Sequence, residues 1–267
     1  MPGKRGRLKM KLTSIARYPV KSMGGNVLAE SAVTPVGLPH DREWLVATPQ
    51  GGFITARKFP QMLLWQTDAA PDRLTLTAPD GSSRTVYTNE MVHTADVTVW
   101  KDCFPAYHGS AETDEWLSER IGTDARLYWL GWHSKRVLAY SQTPLSFADS
   151  APFLLTNTAS LDDLNAMLDT PVEMKRFRAN FVVSGKEAYE EETWHRIRIG
   201  EVEFEHFKPC TRCVMTTVDL KTAKKDPFQE PLSTLAIARK AVFGVHLVAL
   251  NQGVVKAGDE VEVLSYK

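Results

Sequence analysis

The stretch RIRIGEVEFEHF, residues 196–207, alternates apolar and polar side chains on both sides of Gly200. Successive strand side chains point to opposite faces, so this period of two on both arms describes a hairpin with one buried face. The device recurs along the chain. RLTLTAPDGSSRTVYT (73–88) turns back around APDG, and VVKAGDEVEVLSYK (254–267) turns around AGDE. EWLVATPQGGFITAR (43–57) reads as strands at about 44–48 and 53–57 joined by a Gly-containing turn, and TSIARYPVKS (13–22) as a strand running into a loop.

Helical patterns are fewer. SAETDEWLSERIG (110–122) opens on polar capping residues and spaces Trp116, Leu117 and Ile121 along one side. TASLDDLNAMLD (158–169) offers Ser160 as N-cap, with Leu161, Leu164, Met167 and Leu168 on one face; EPLSTLAIARKAV (230–242) is a third candidate. There is no internal repeat, no low-complexity tract and no βαβαβ rhythm. The expected architecture is an antiparallel β-barrel type with a few helices, mainly β with some α. A boundary is expected near 105–130, where hairpins yield to a helix and then to the Gly131-Trp132 stretch.

With 267 residues the chain can build one large domain or two small ones. Its 32 basic and 32 acidic residues cancel, so no global field draws nucleic acid or a membrane, and any basic site must be local. No run of about 18 apolar residues suggests a membrane span. The basic start MPGKRGRLKMKL lacks the apolar core of a secretory signal, and residues 1–10 read as a flexible basic tail. Cys103, Cys210 and Cys213 are too few for a secreted disulfide scaffold, which favours a reducing cytoplasm.

Two of those cysteines lie in KPCTRC, residues 208–213. Structural zinc wants a second ligand pair, and Cys103, His195, His206 and His246 are scattered. A thioredoxin-type pair should open a helix, but EVEFEHF and VMTTVDL on either side both read as strands. Three cysteines cannot supply the four thiolates of an iron–sulfur cluster. Zinc and a redox pair are thereby demoted without being excluded, and two readings lead: both cysteines are small buried hydrophobes, or one is a thiolate ligand. Lys208 and Arg212 favour the second, since buried cations need a partner and a thiolate among cations suits a soft metal carrying an anionic cofactor.

Other cations fall at strand ends: Lys21 with Ser22 in YPVKS, Asp41 and Arg42 in HDREW, Arg57 in FITARKFP, and Arg178 with Asn180 in KRFRANFVVSG. Each alone is most simply a surface charge. Together, at the rim of a barrel where strand ends converge, they suit a compact phosphate-bearing ligand better than a polymer. The glycine-rich fingerprints of ordinary nucleotide sites are missing, as are Gly-x-Ser-x-Gly and His-Glu-x-x-His.

The ordered set YPVKSM, HDREWLV, FITARKFPQM, PLSFADSAPFLL, ASLDDLN, FRANFVVSG, IRIGEVEFEHFKPCTRCVMTTVD and GDEVEVL resembles MOSC-domain proteins. More narrowly, it is similar to the YcbX-like bacterial proteins and the mitochondrial amidoxime-reducing component. The resemblance runs from about residue 11 to 265 and implies a MOSC N-terminal β-barrel region over 11–125 and a MOSC β-barrel domain over 126–267. It implies a molybdenum cofactor, with Cys213 as the metal ligand and catalytic centre. Lys21, Ser22, Arg42, Asp149, Ser150, Arg178, Asn180, Thr211 and Arg212 match the pterin- and phosphate-binding positions; Arg57 matches the pattern without a clear contact, and Cys210 is expected to be supporting or structural. The implied activity is reduction of N-hydroxylated compounds such as hydroxylaminopurines, amidoximes or hydroxylamines. The family's associations with detoxification and pyridoxal phosphate binding come with it.

Many YcbX-like proteins carry a further [2Fe–2S] domain that this sequence does not show, so the implied electron donor is external: a flavoprotein reductase, ferredoxin or cytochrome. A second departure is Val245 in FGVHLVAL, where a polar, pocket-side residue is expected. Asp41 and Asp149 are possible proton donors, though each is more simply a hydrogen-bond acceptor. The competing reading is a sulfur carrier using a Cys213 persulfide, and a third is a binding module without turnover; neither nucleic acid nor a membrane span enters any of them.

Overall fold

A computed structural model describes residues 9–138 and 142–267. Residues 1–8 of the expected basic tail lie outside it; Lys9 is exposed and pairs with Glu260 at 2.7 Å. In chain order the first strands are β1 (Leu12–Arg17), β2 (Asn26–Leu28), β3 (Glu30–Val33), β4 (Trp44–Ala47), β5 (Gln66–Ala70), β6 (Arg73–Thr77), β7 (Ser83–Tyr87), β8 (His93–Val99) and β9 (Asp102–His108). Helix α1 (Ala111–Ile121) leads to β10 (Arg126–Trp129), and β11 (Phe153–Asn157) to α2 (Thr158–Ala166). Then come β12 (Phe181–Val183), β13 (Trp194–Ile199), β14 (Val202–Thr211), α3 (Leu232–Arg239), β15 (Val242–Ala249), β16 (Gly253–Lys256) and β17 (Val261–Tyr266).

The protein is mostly β, as its patterning requires. A large curled sheet runs β17-β13-β14-β15-β11-β12-β1-β2, and a smaller one β4-β10-β9-β8. Their strands interleave along the sequence: β1 and β2 join the large sheet, while β10 pairs with β4 and β9. All pairings in the large sheet are antiparallel except β11 with β12, which α2 and the turn at 174–177 connect. Phe153, Phe181, Phe204 and Trp194 fill the core of the large sheet, and Trp44, Trp65, Leu74, Leu117 and Trp129 a second core behind the small one.

Several expectations hold in detail. The Gly200 hairpin is β13–β14, with Gly200 at φ 56°, and the APDG hairpin is β6–β7. Helix α1 ends where Gly122 takes a left-handed conformation. Others are corrected. The arms flanking AGDE do not pair with each other: β16 pairs with β3 and β17 with β13. Residues 53–57 do not form a strand: they carry a single bridge, Ala47 to Phe53, and lead into a turn at 56–58. Asn157, not Ser160, caps α2 by accepting from the Ala159 amide, because Ser160 is turned inward onto Glu191. Met167 faces solvent rather than the α2 core face, and α3 stops at Arg239, short of the expected 242. VMTTVDL is not a strand; β14 runs on through Cys210 to Thr211, and a short 3₁₀ turn spans 214–217. Among the described residues no helix is long and apolar enough to cross a membrane.

Candidate functional site

The strand ends that carry the cations converge. A cavity of about 410 Å³ opens where the ends of β12, β14 and β15 meet the segments flanking β4, and Lys21, Ser22, Arg42, Arg57, Asp149, Ser150, Arg178, Asn180, Thr211, Arg212 and Cys213 all lie on its wall. The YPVKS segment is placed by the backbone: the Lys21 amide donates to the Trp44 carbonyl at 2.9 Å and the Arg42 amide to the Tyr18 carbonyl at 2.8 Å. Asp41, buried, accepts from the Tyr18 amide at 2.7 Å and holds Arg42 at 2.5 Å. Asn180 is a brace: its amide donates to the Ala16 carbonyl at 3.1 Å, while its oxygen accepts from the Leu154 amide at 3.1 Å and from Arg42 at 3.3 Å.

Ser22, Arg42 and Arg178 have φ values of 69°, 50° and 55°. Left-handed backbone costs a non-glycine residue roughly 1 kcal/mol, so three on one cavity wall mark a surface held against its local preference.

Charge is concentrated there too. Six basic side chains line the cavity, and Asp41, Asp149 and Asp219 are the carboxylates paired with them. Lys21, 5% exposed, donates to Asp149 and to the Phe147 carbonyl. Burial lowers its pKa to about 8, with Arg136 and Arg57 adding to the fall and Asp149 opposing it. Burial works against ionised Asp149, but Lys21, Arg57 and the Trp100 N–H outweigh it and hold the carboxyl well below its ordinary range. That leaves Asp149 an acceptor rather than a proton donor at neutral pH.

Arg178 and Arg212 have no carboxylate partner among the described residues. Arg178 lies over the Tyr18 ring at 4.2 Å and donates to the Met23 carbonyl at 2.6 Å; burial and Arg42 lower its pKa to about 10. Arg212 donates to the Phe177 carbonyl at 2.6 Å and to Cys210 Sγ at 2.8 Å, and its Nε is buried without a partner. Two uncompensated guanidiniums and an orphaned donor on one wall fit an anionic, phosphate-bearing group.

The two cysteines have separated roles in the fold. Cys210 is buried at the end of β14, opposite a bulge in which Gly244 of β15 takes φ 79°; Cys213 is half-buried on the cavity wall, at the head of the 3₁₀ turn. Both are free thiols. Lys208 does not join them: it is exposed, with its ammonium 5.5 Å from the Phe207 ring. Val245 is buried in the large-sheet core, so the expected pocket-side contact at 245 falls one residue on, at His246. Burial and Arg212 lower the His246 pKa to about 3, leaving a neutral imidazole whose Nδ1 has no partner.

Besides His246, the wall includes Trp100, Arg176 and Met215, which the sequence patterns did not single out. His246 is visible as the one polar residue in FGVHLVAL, and Trp100 as an aromatic in the two-residue link between β8 and β9.

A barrel-derived sheet with a cationic cavity and a free cysteine at its rim defines a type of domain that can be compared with known families. Residues 9–124 match the MOSC N-terminal beta barrel domain and residues 142–262 the MOSC domain. The chain belongs to the MOSC-domain family that includes the mitochondrial amidoxime-reducing components. It is 30% identical to mitochondrial amidoxime-reducing component 1 of Homo sapiens, over 98% of this chain and 86% of that one. It is 31% identical to component 2 of Bos taurus, over 97% and 85% of the two chains. Molybdenum cofactor sulfurase of Danio rerio is 31% identical over 92% of this chain but only 32% of its own length.

Proposed function

We propose that this chain binds a molybdenum cofactor in the cationic cavity, with Cys213 as the protein ligand to the metal, and reduces N-hydroxylated compounds. The observation that carries the reading is the pair of uncompensated guanidiniums, Arg178 and Arg212, facing the same cavity as the Cys213 thiol. The relatives named amidoxime-reducing component and molybdenum cofactor sulfurase support the choice of group and reaction. When bound, the cofactor supplies the two-electron chemistry that cleaves an N–O bond.

The chain's own residues bind and orient. Arg178, Arg212 and Arg42 offer planar, fixed donors to phosphate oxygens, and the Ser22, Ser150 and Thr211 hydroxyls lie on the same wall. Lys21 is engaged by Asp149 and the Phe147 carbonyl, so it contributes as a fixed charge, which argues against covalent capture of pyridoxal phosphate there. Asn180 keeps Arg42 aimed, and Cys210, held by Arg212, supports the turn that presents Cys213. Turnover converts R–NHOH, two electrons and two protons into R–NH₂ and water. The electrons come from a separate flavoprotein, ferredoxin or cytochrome; the reaction needs neither nucleic acid nor a membrane span, and a cytoplasmic setting suits the free thiols.

A second reading, sulfur transfer through a Cys213 persulfide, draws on the sulfurase relatives. A persulfide alone gives no reason for Arg178 and Arg212 to face the cavity unpaired. The test is molybdenum analysis of protein made in a cofactor-synthesising host, with Cys213→Ser alongside. About one molybdenum per chain, lost in the variant, is expected. No molybdenum in either protein, where a control molybdoenzyme is loaded, would favour the persulfide.

A further inference from the structure

Trp100 is an unusual residue for its place. Val99 and Asp102 are paired across β8 and β9, so Trp100 and Lys101 form a two-residue hairpin link. Trp100 takes φ 58° there, a conformation that such links normally assign to Gly or Asn. A bulky ring at this position works against the turn. Nor does the ring serve the core: Trp100 is 50% exposed while standing on the wall of the cationic cavity.

Its orientation is fixed from three sides. The indole N–H donates to Asp149 Oδ1 at 3.0 Å. The Arg57 guanidinium lies over the ring at 4.7 Å, and Phe53 meets it edge-on at 5.3 Å and 63°. Asp149 and Arg57 are themselves joined at 3.3 Å, and the Arg57 carbonyl accepts from Lys225 at 2.8 Å. Beside these contacts half of Trp100 stays exposed on the cavity wall, so part of a flat aromatic surface remains there to be covered. Such a surface takes planar conjugated molecules and offers little to small aliphatic ones.

We propose that Trp100 is a specificity-determining platform that stacks the conjugated part of the substrate, so that the protein prefers planar aromatic N-hydroxylated compounds over small aliphatic ones. The inference rests on the reductase reading given above. Arg57 and Asp149 act through Trp100 as positioning residues.

The test uses cofactor-loaded wild-type, Trp100→Ala and Trp100→Phe proteins, with all values normalised to molybdenum content. The first readout is calorimetric binding of benzamidoxime to the oxidised protein without a reductant, so that no turnover occurs. The second is the ratio of kcat/KM for benzamidoxime to that for hydroxylamine. Losing one stacked ring is expected to weaken binding, and to lower the ratio, about tenfold in Trp100→Ala, equivalent to about 1.4 kcal/mol. Trp100→Phe keeps a flat ring but loses the N–H bond to Asp149, and it should stay within about threefold of wild type. If the two variants lose equally, the bond to Asp149 matters and the platform is refuted. An unchanged ratio in Trp100→Ala, with benzamidoxime still reduced, refutes this proposal alone. A loaded wild-type protein that reduces neither compound refutes the reductase reading and this proposal with it.

Discussion

Arg178→Met separates a binding cation from a structural one. Methionine keeps most of the length of the arginine stem and meets the same backbone cost at φ 55°. The lowering of the Arg178 pKa from 12.5 to about 10 corresponds to roughly 3 kcal/mol against the charged form in the folded state. The cavity is open to solvent and Arg178 is only part-buried, so screening reduces this to about 2 kcal/mol. The sign follows from linkage. A cation whose folded pKa is lowered suffers the full penalty at every pH below that pKa, and the penalty is relieved only as pH rises through about 10 toward 12.5. At neutral pH the substitution removes it. Against this gain stand the charged hydrogen bond to Met23, about 1.5 kcal/mol, and the contact with Tyr18, about 0.5 kcal/mol. The two sides nearly cancel. Metal-free Arg178→Met should therefore melt within about 3 °C of metal-free wild type, since 1 kcal/mol moves a chain of this size by roughly 2–4 °C. Molybdenum retention should fall steeply, because one charged contact to phosphate is worth about 2 kcal/mol, or about thirtyfold in affinity. Melting of both metal-free proteins and molybdenum per chain after extensive dialysis read the two effects separately. A drop of more than about 8 °C with molybdenum content unchanged would show that Arg178 holds the fold and not the cofactor.

Glu191 gives a pH prediction away from the cavity. It is fully buried against Ser160 and Asn157, and burial raises its pKa from 4.5 to about 7 even though those partners oppose the shift. The folded state therefore prefers the protonated acid, and stability should fall as pH rises from about 4.5 to 7, by up to about 3 kcal/mol. Glu191→Gln should flatten thermal stability between pH 5 and pH 8; an unchanged slope would mean that another group sets it. Gly244→Ala should destabilise by about 2 kcal/mol or more, because φ is 79° and a Cβ would stand 2.6 Å from the Leu155 carbonyl oxygen. Since the same bulge faces Cys210, molybdenum content should fall with the melting temperature, and a variant as stable as wild type would show that the strand can shift to accept a side chain.

Local signals were readable where local chemistry decides. The Gly200 hairpin was legible because alternation and turn lie within one short stretch, and both arms pair with each other. The AGDE segment has the same signature and a real turn, with Gly258 at φ 98°, yet its arms belong to different sheets. Partner choice there depends on β3 and β13, which no local pattern reveals. Ser160 failed as a cap for a related reason: its hydroxyl has a buried carboxylate to bind, 31 residues away in sequence. In the cavity, Lys21, Arg42 and Arg178 each read alone as a surface charge, and only their recurrence at strand ends pointed to one rim; Arg212 was legible from its place beside the cysteines. Lys208 looked equivalent but points outward, since one residue of register decides the face. The same rule hid His246, whose neighbours Val245 and Leu247 fill the core while it turns to the cavity.

The cavity wall gathers what a stable fold avoids. Left-handed backbone at Ser22, Arg42, Arg178 and the tryptophan at the mouth opposes folding by roughly 1 kcal/mol each, and the guanidiniums of Arg178 and Arg212 face the cavity without a carboxylate among the described residues. They persist because they are attached to segments fixed elsewhere: β4 divides its apolar residues between two cores and β12 places Phe181 and Val183 in a third, and Asp41 and Asn180 bind the intervening loops to backbone on both sides. The cations therefore stay in place without a ligand, and an anion entering the cavity meets donors already oriented. Binding then removes a repulsion as well as adding contacts. On this reasoning cofactor loading should stabilise the protein by more than the bonds to the phosphate alone would supply, and the excess should shrink when either Arg178 or Arg212 is neutralised.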